Sequence, residues 1–187
     1  AQRGFETHLV EFAEHVLPYL EVEMATLVTQ ELRALGVCVH AGVAAQSVIH
    51  GDDHDSVTLS DGTVLAADVI VLSTGVRPDT AFAEAAGIET KRGYILVDEH
   101  GRTSADDIYA VGDSTMGRDH DHPVALAGPA NRGGRLVADA IADAEQGKAT
   151  ARPIPSPQGT AIVRIGSLSA AMTGANRQAL DASGAEY

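Results

Sequence analysis

The residues able to do chemistry gather in a few short runs. TSADDIYAVGD (103–113) sets polar turn residues before four apolar ones and then delivers Gly112 and Asp113. A strand ending in a glycine and a carboxylate is the arrangement by which an open α/β sheet meets a ligand at its crevice. The glycine lets backbone approach, and the carboxylate accepts hydrogen bonds from sugar-like hydroxyls. Alone, the same pair is also an ordinary turn. LSTGVRPDT (72–80) places Thr74 and Gly75 behind an apolar stretch and Arg77-Pro78 in a turn, which by itself reads as a loop. HPVALAGPANRGGRLVADAI (122–141) puts Gly128, Pro129, Gly133 and Gly134 at the start of a helical pattern. A helix N-terminus offers unpaired N–H groups and partial positive charge to an electron-rich ligand atom. The ordered triple is much more specific than its members. RDHDHP (118–123) offers Asp119, His120, Asp121 and His122 as metal ligands, but consecutive residues rarely converge on one ion, so a solvated loop is expected. GDDHDS (51–56) has neither the length nor the terminal Glu of a calcium loop, and a polar hairpin turn explains it. Cys38, in the apolar run GVCVH, is expected to be an inert core thiol.

The elements that must position these runs are legible from periodicity. FETHLVEF (5–12) reads as a short strand, and Met24, Leu27, Val28, Leu32 and Leu35 fall on one face of a helix that Gly36 stops. A strand with its continuation follows over 36–49. SVTLSDGTVLAADVIVLSTG (56–75) reads as a hairpin turning at Asp61-Gly62 and then a strand apolar enough to be buried on both faces. A short helix over 80–86, strands around YILVD and DIYAVGD, and an Ala-rich helix from about Pro129 to Ala144 with Gly147 behind it complete the pattern. This α/β alternation with an antiparallel insertion points to a sheet-based nucleotide-binding architecture.

The bulk numbers narrow the classes. With 187 residues, 44% hydrophobic and 21% charged, the chain has a globular balance, and collagen-like, disordered and disulfide-scaffold classes are excluded. No apolar run reaches spanning length, so a soluble protein is expected. The net charge of −13 repels nucleic-acid backbone and anionic membrane alike. One cysteine and no signal-like segment make a reducing, cytoplasmic setting the default. Basic and acidic residues number 2 and 11 over 1–72, 7 and 13 over 73–147, and 4 and 2 over 148–187. That shift, with RPIPSP (152–157) at the second junction, predicts separate structural units and a linker near residue 150.

Taken together, STGVRPD, TSADDIYAVGD and LAGPANRGGR resemble the pyridine nucleotide-disulfide oxidoreductases, flavoproteins that bind FAD and NAD(P)H. GTAIVRIGSLSAAMTGANRQAL (159–180) resembles the start of the dimerisation domain in the branch that holds coenzyme A disulfide reductase, NADH oxidase and NADH peroxidase. The resemblance spans essentially the whole chain. It implies an α/β fold of partial doubly wound FAD/NAD(P)-binding sheets plus the start of an α+β dimerisation domain. Residues 1–72 would be the second half of the NAD(P)-binding domain, 73–150 the C-terminal half of the FAD-binding domain and 151–187 the start of the dimerisation domain. Asp113 would accept a hydrogen bond from the FAD ribityl chain, with Gly112 allowing close approach. Leu126 and Ala127 would set backbone N–H groups against the flavin pyrimidine edge, where the helix dipole stabilises negative charge. Thr74 and Gly75 would mark the chain's return to the FAD domain. Glu11 would bond the adenosine ribose hydroxyls and favour NADH over NADPH, although it also reads as an ordinary strand-end acid.

No G-x-G-x-x-G fingerprint occurs in the chain, and Cys38 matches none of the family's catalytic positions. The resemblance places both fingerprints and the redox cysteine upstream of Ala1. The chain is therefore expected to be an internal fragment of a homodimeric FAD- and NADH-dependent oxidoreductase, inactive by itself, whose residues bind cofactors and do no thiol chemistry. In the whole enzyme, hydride would pass from NADH to flavin and on to a disulfide, a peroxide or oxygen. Two other readings stay open: a non-catalytic nucleotide-binding or interaction remnant, and a flavin reductase serving a ferredoxin-like carrier.

Overall fold

A computed structural model describes residues 1–120, 122–149 and 152–186, and the chain divides into two compact units, 1–73 with 160–187, and 74–159. The first unit opens with strand β1 (Thr7–Glu11), helix α1 (Val22–Ala34) and strand β2 (Val37–Ala41). β1 and β2 pair in parallel from Thr7↔Val37 to Glu11↔Ala41. Parallel neighbours require a crossover, and α1 is that crossover. Leu9 and Val39 pack against the cluster of Val16, Leu20, Ala25 and Val28, so the odd-numbered strand positions face α1. Gly36 ends the helix as expected, its N–H donating to the Arg33 carbonyl at 2.9 Å.

A three-stranded antiparallel meander follows, β3 (Ala45–Ile49), β4 (Asp55–Leu59) and β5 (Val64–Ala67), burying Val57 and Leu59. The Asp61-Gly62 turn forms where the sequence places it: the Thr63 N–H donates to Asp61 Oδ1 at 2.9 Å, and the Leu59 N–H to the Thr63 carbonyl at 2.8 Å. The polar turn over 51–54 also forms, flanked by a 2.6 Å contact between His50 and Asp55. The buried strand expected beyond this hairpin does not. The strand stops at Ala67, and Val69, Val71 and Leu72 are 81%, 82% and 79% exposed. Among the described residues no strand lies beside that stretch to take its backbone groups, and an apolar sequence buries itself only where a second surface exists.

The second unit holds helix α2 (Ala81–Ala85) and strands β6 (Thr90–Lys91), β7 (Tyr94–Val97) and β8 (Thr115–Gly117), followed by helix α3 (Ala127–Glu145). β7 pairs antiparallel with β6 and parallel with β8. Its core is Ala83, Ile88, Ile95 and Val97, with Ala105 and Ala110 against them. Thr80 is buried at the start of α2, its hydroxyl donating to the Gly93 carbonyl at 2.6 Å. DIYAVGD, expected as a strand, forms no regular strand: turns hold its two ends, and a single bridge joins Tyr109 to Arg102. The regular strand starts two residues beyond Asp113, at β8, because the Gly112 turn interrupts the ladder first. Of the linker expected near residue 150, Thr150 and Ala151 lie outside the described residues, and RPIPSP (152–157) forms no helix or strand and belongs to the second unit.

The last segment returns to the first unit as the hairpin β9 (Ala161–Ile165) and β10 (Leu168–Met172), then helix α4 (Arg177–Ser183). Ile165, Leu168, Ala170 and Met172 add to the α1 cluster. The Glu31 carboxylate on α1 accepts from the Ser167 N–H at 2.9 Å and its hydroxyl at 3.0 Å. Asn176 caps α4 by accepting the Ala179 N–H, while its amide donates to the Tyr19 carbonyl. Cys38 corrects the sequence expectation: it is exposed. Its even-numbered position turns it to the face of β1 and β2 away from α1, beside His8 and His40, whose ring nitrogens meet at 3.0 Å. No described helix is long and apolar enough to cross a membrane.

Candidate functional site

Gly112 and Asp113 are presented by a turn that the preceding residues build. Thr103 closes the turn over Ala105–Asp107, its N–H and hydroxyl both donating to the Ile108 carbonyl at 3.0 and 2.9 Å. The Ala110 N–H then donates to the Gly101 carbonyl at 2.9 Å, which aligns the extended segment. At Gly112 the backbone swings to φ 96°, a conformation that glycine adopts without steric cost. Its carbonyl accepts from both the N–H and the hydroxyl of Thr115, at 3.0 and 2.7 Å, so the turn is clamped. Nothing lies within 4 Å of where a Gly112 Cβ would stand, and Asp113 is exposed beside that open space.

Helix α3 packs against this turn. Val137 stands against Gly101, where a Cβ would come within 2.5 Å of Val137 Cγ2 and 3.2 Å of the Ala110 carbonyl. One helical turn earlier, a Cβ at Gly133 would stand 3.0 Å from Val111 Cγ2. Both arms of the 101–111 turn are thus in tight contact with α3, one through Gly101 and the other through Val111.

Leu126 caps the helix in extended conformation with no side-chain hydrogen bond, and the first turn holds no acidic residue. Its N–H is not available as the sequence implies, since it donates to the Val124 carbonyl at 3.1 Å. The free donors among the described residues are the N–H groups of Ala127 and Gly128, because Pro129 carries none. Two outward N–H groups at a helix start, a glycine with empty space above it and an exposed carboxylate suit a ligand with both an electron-rich edge and hydroxyls. A flavin with its ribityl chain has that chemistry.

Thr74 and Gly75 belong to the same unit but are exposed, with no side-chain contact at Gly75. Glu11 belongs to the other unit, at the C-terminal end of β1, where its Oε1 accepts the Ala13 N–H at 2.8 Å and leaves the second oxygen open. His120 turns to Ser156, with Nε2 and Oγ at 3.1 Å, and Asp121 lies outside the described residues. Sequence reasoning missed Thr115, whose signal was a hydroxyl three residues after Gly112, the spacing of a side-chain-closed turn.

Comparison with known proteins bears on the same residues. A family model described as pyridine nucleotide-disulphide oxidoreductase matches residues 1–144. A rubredoxin-NAD(+) reductase from Alcanivorax borkumensis is 42% identical over 141 residues, 74% of this chain and 36% of that protein. Among solved structures, an NAD-dependent persulfide reductase from A. fulgidus superposes with a TM-score of 0.87 at 31% identity, over 96% of this chain and 33% of that one. An FAD-dependent pyridine nucleotide-disulphide oxidoreductase from Desulfovibrio vulgaris gives 0.86 at 28%, over 97% of this chain and 46% of that one. The chain thus spans about a third to a half of the length of these proteins.

Proposed function

The chain belongs to the pyridine nucleotide-disulphide oxidoreductase family, and from that premise we propose that it supplies part of the cofactor-holding framework of an FAD-dependent NAD(P)H oxidoreductase. What supports this reading is the open Gly112 turn, with its exposed Asp113, in the same unit as the free N–H groups that open α3. When bound, FAD supplies two-electron chemistry, taking hydride from NADH and passing it on. Asp113 accepts a ribityl hydroxyl. Ala127 and Gly128 donate to the electron-rich edge, and the α3 dipole stabilises negative charge there. Gly112 keeps its surroundings clear for close approach, and Thr115 holds that turn fixed. Glu11 accepts from the ribose hydroxyls of the dinucleotide. Residues 1–72, 73–150 and 151–187 correspond on this reading to NAD(P)-binding, FAD-binding and dimerisation segments.

The test is Asp113→Ala in the full-length protein. FAD retention after gel filtration should fall by about tenfold, the cost of one hydrogen bond to a charged group, while Asp113→Asn loses less. Unchanged flavin content in Asp113→Ala counts against the role. A carboxylate at Glu11 repels a 2′-phosphate, so Glu11→Ala should lower the NADH over NADPH ratio of kcat/KM by about tenfold. An unmoved ratio removes Glu11 from the dinucleotide site.

For the electron acceptor, similarity to the persulfide reductase across 96% of this chain supports a disulfide-type or other small acceptor. The 42% identity to a rubredoxin reductase supports the second reading, a carrier-protein acceptor. Steady-state NADH oxidation by the full-length protein with coenzyme A disulfide, hydrogen peroxide, oxygen and rubredoxin in turn separates the two. Rubredoxin as the preferred acceptor would reject the first.

A further inference from the structure

Helix α3 carries a second stripe beside the one it buries. Gly133, Val137 and Ala140 face the interior of the unit, whereas Arg132, Arg135, Leu136 and Asp139 recur at the same helical spacing on the adjoining surface. The extended segment after the helix lies across this stripe, and the two enclose a cleft of about 300 Å³ to which Arg152, Pro153 and Pro155 contribute. The cleft wall is fixed in place. The Ile154 N–H donates to the Glu99 carbonyl at 2.7 Å, Ser156 Oγ meets His120 Nε2 at 3.1 Å, and two prolines restrict the backbone between.

The charge in this cleft runs against the molecule. The chain carries −13, yet three arginines line the cleft against one carboxylate. Among the described residues none of the three is in an ion pair. Arg135 donates from Nη1 to the neutral Asn131 Oδ1 at 2.6 Å, which orients it without neutralising it. Guanidinium groups match phosphate oxygens in a two-pronged fashion, and three converging on one space of small-molecule size accept more than one negative charge. Leu136 and the prolines give the remainder of such a ligand an apolar surface.

We propose that this cleft binds an organic phosphate carrying at least two negative charges, at a site separate from the Gly112-Asp113 turn and independent of the flavin reading. The test uses the full-length, flavin-loaded protein and inorganic pyrophosphate as the probe, titrated by calorimetry. Saturable one-to-one binding is expected. It should weaken at least about fivefold in R132Q/R152Q and strengthen in D139N, since removing the sole lining carboxylate raises the local positive charge. Flavin content and the KM for NADH should not change. Absence of saturable binding, equal affinity in R132Q/R152Q, or weaker binding in D139N overturns the proposal. Displacement of pyrophosphate by a polyglutamate peptide but not by adenosine diphosphate also overturns it, in favour of an acidic protein segment. R152Q alone, which lies off the helix, repeats the measurement should the double variant lose its flavin.

Discussion

At the scale of single residues, Asp113 and Asp61 show how one side chain serves opposite ends. Asp113 is exposed and leaves its oxygens for a ligand, whereas Asp61 spends its carboxylate on the chain itself. The Thr63 N–H, with a smaller contribution from the Thr63 hydroxyl, holds the Asp61 carboxyl below the ordinary carboxylate range. A lowered folded value means that the support this carboxylate gives its turn is present above the unfolded pKa and is lost as the pH falls through the folded one. The Thr63 amide should therefore exchange faster with solvent on acidification below about pH 4, and Asp61→Asn should flatten that dependence. The same acid transition in Asp61→Asn would show that other groups open the hairpin. Both aspartates were visible in the sequence as Gly-Asp and Asp-Gly pairs. Only Asp61 could be read with its partner, because a hairpin turn is closed by neighbours in sequence.

At the scale of elements, the contact that matters most is between α3 and the segment 101–111. Gly101 stands at φ 78° with Val137 and the Ala110 carbonyl already against it, and Gly133 admits Val111. Neither place has room for a larger residue. Gly101→Ala should cost about 2–4 kcal/mol, combining backbone strain with overpacking. Val137→Ala should recover part of it in a double-mutant cycle by urea melting, with a coupling of about 1 kcal/mol. Strict additivity would mean that strain at positive φ, not the helix contact, requires the glycine. The helix itself was plain from its alanines and apolar spacing, beginning two residues earlier than expected. Its register against the segment was not, since glycines specify where two elements approach only once both are placed. The same limit explains Cys38: alternation indicates that it lies on one face of a strand but not which face α1 covers.

At the scale of the whole molecule, the chain crosses from one unit to the other and back. Residues 160–187 close the apolar cluster under α1 through Ile165, Leu168, Ala170 and Met172, with the Glu31 carboxylate fastening the hairpin turn. A chain ended after Gly159 should lose hydrogen-exchange protection in α1 by about tenfold or more, a consequence of exposing several apolar side chains worth about 1 kcal/mol or more each. Amides of β7, inside the other unit, should keep theirs. Equal loss in both would show the tail to be needed for general folding, and unchanged α1 protection would show that the hairpin adds nothing.

The family, the α/β alternation, the Asp61-Gly62 hairpin and the run ending in Gly112-Asp113 were legible in the sequence alone, because each is built from short local runs, read singly or in their order along the chain. The tertiary structure decided which chemically apt residues stand together. It put the Gly112 turn and the opening of α3 in one unit, removed the Leu126 N–H from the available donors, and left the apolar stretch after β5 exposed. It also joined Arg132 and Arg135 on a helix to Arg152 on the segment beyond it. Hydrophobicity states that a residue prefers to be covered, and helix spacing states which neighbours share its face. What covers it, and what lies opposite, depends on contacts between elements that no local pattern encodes.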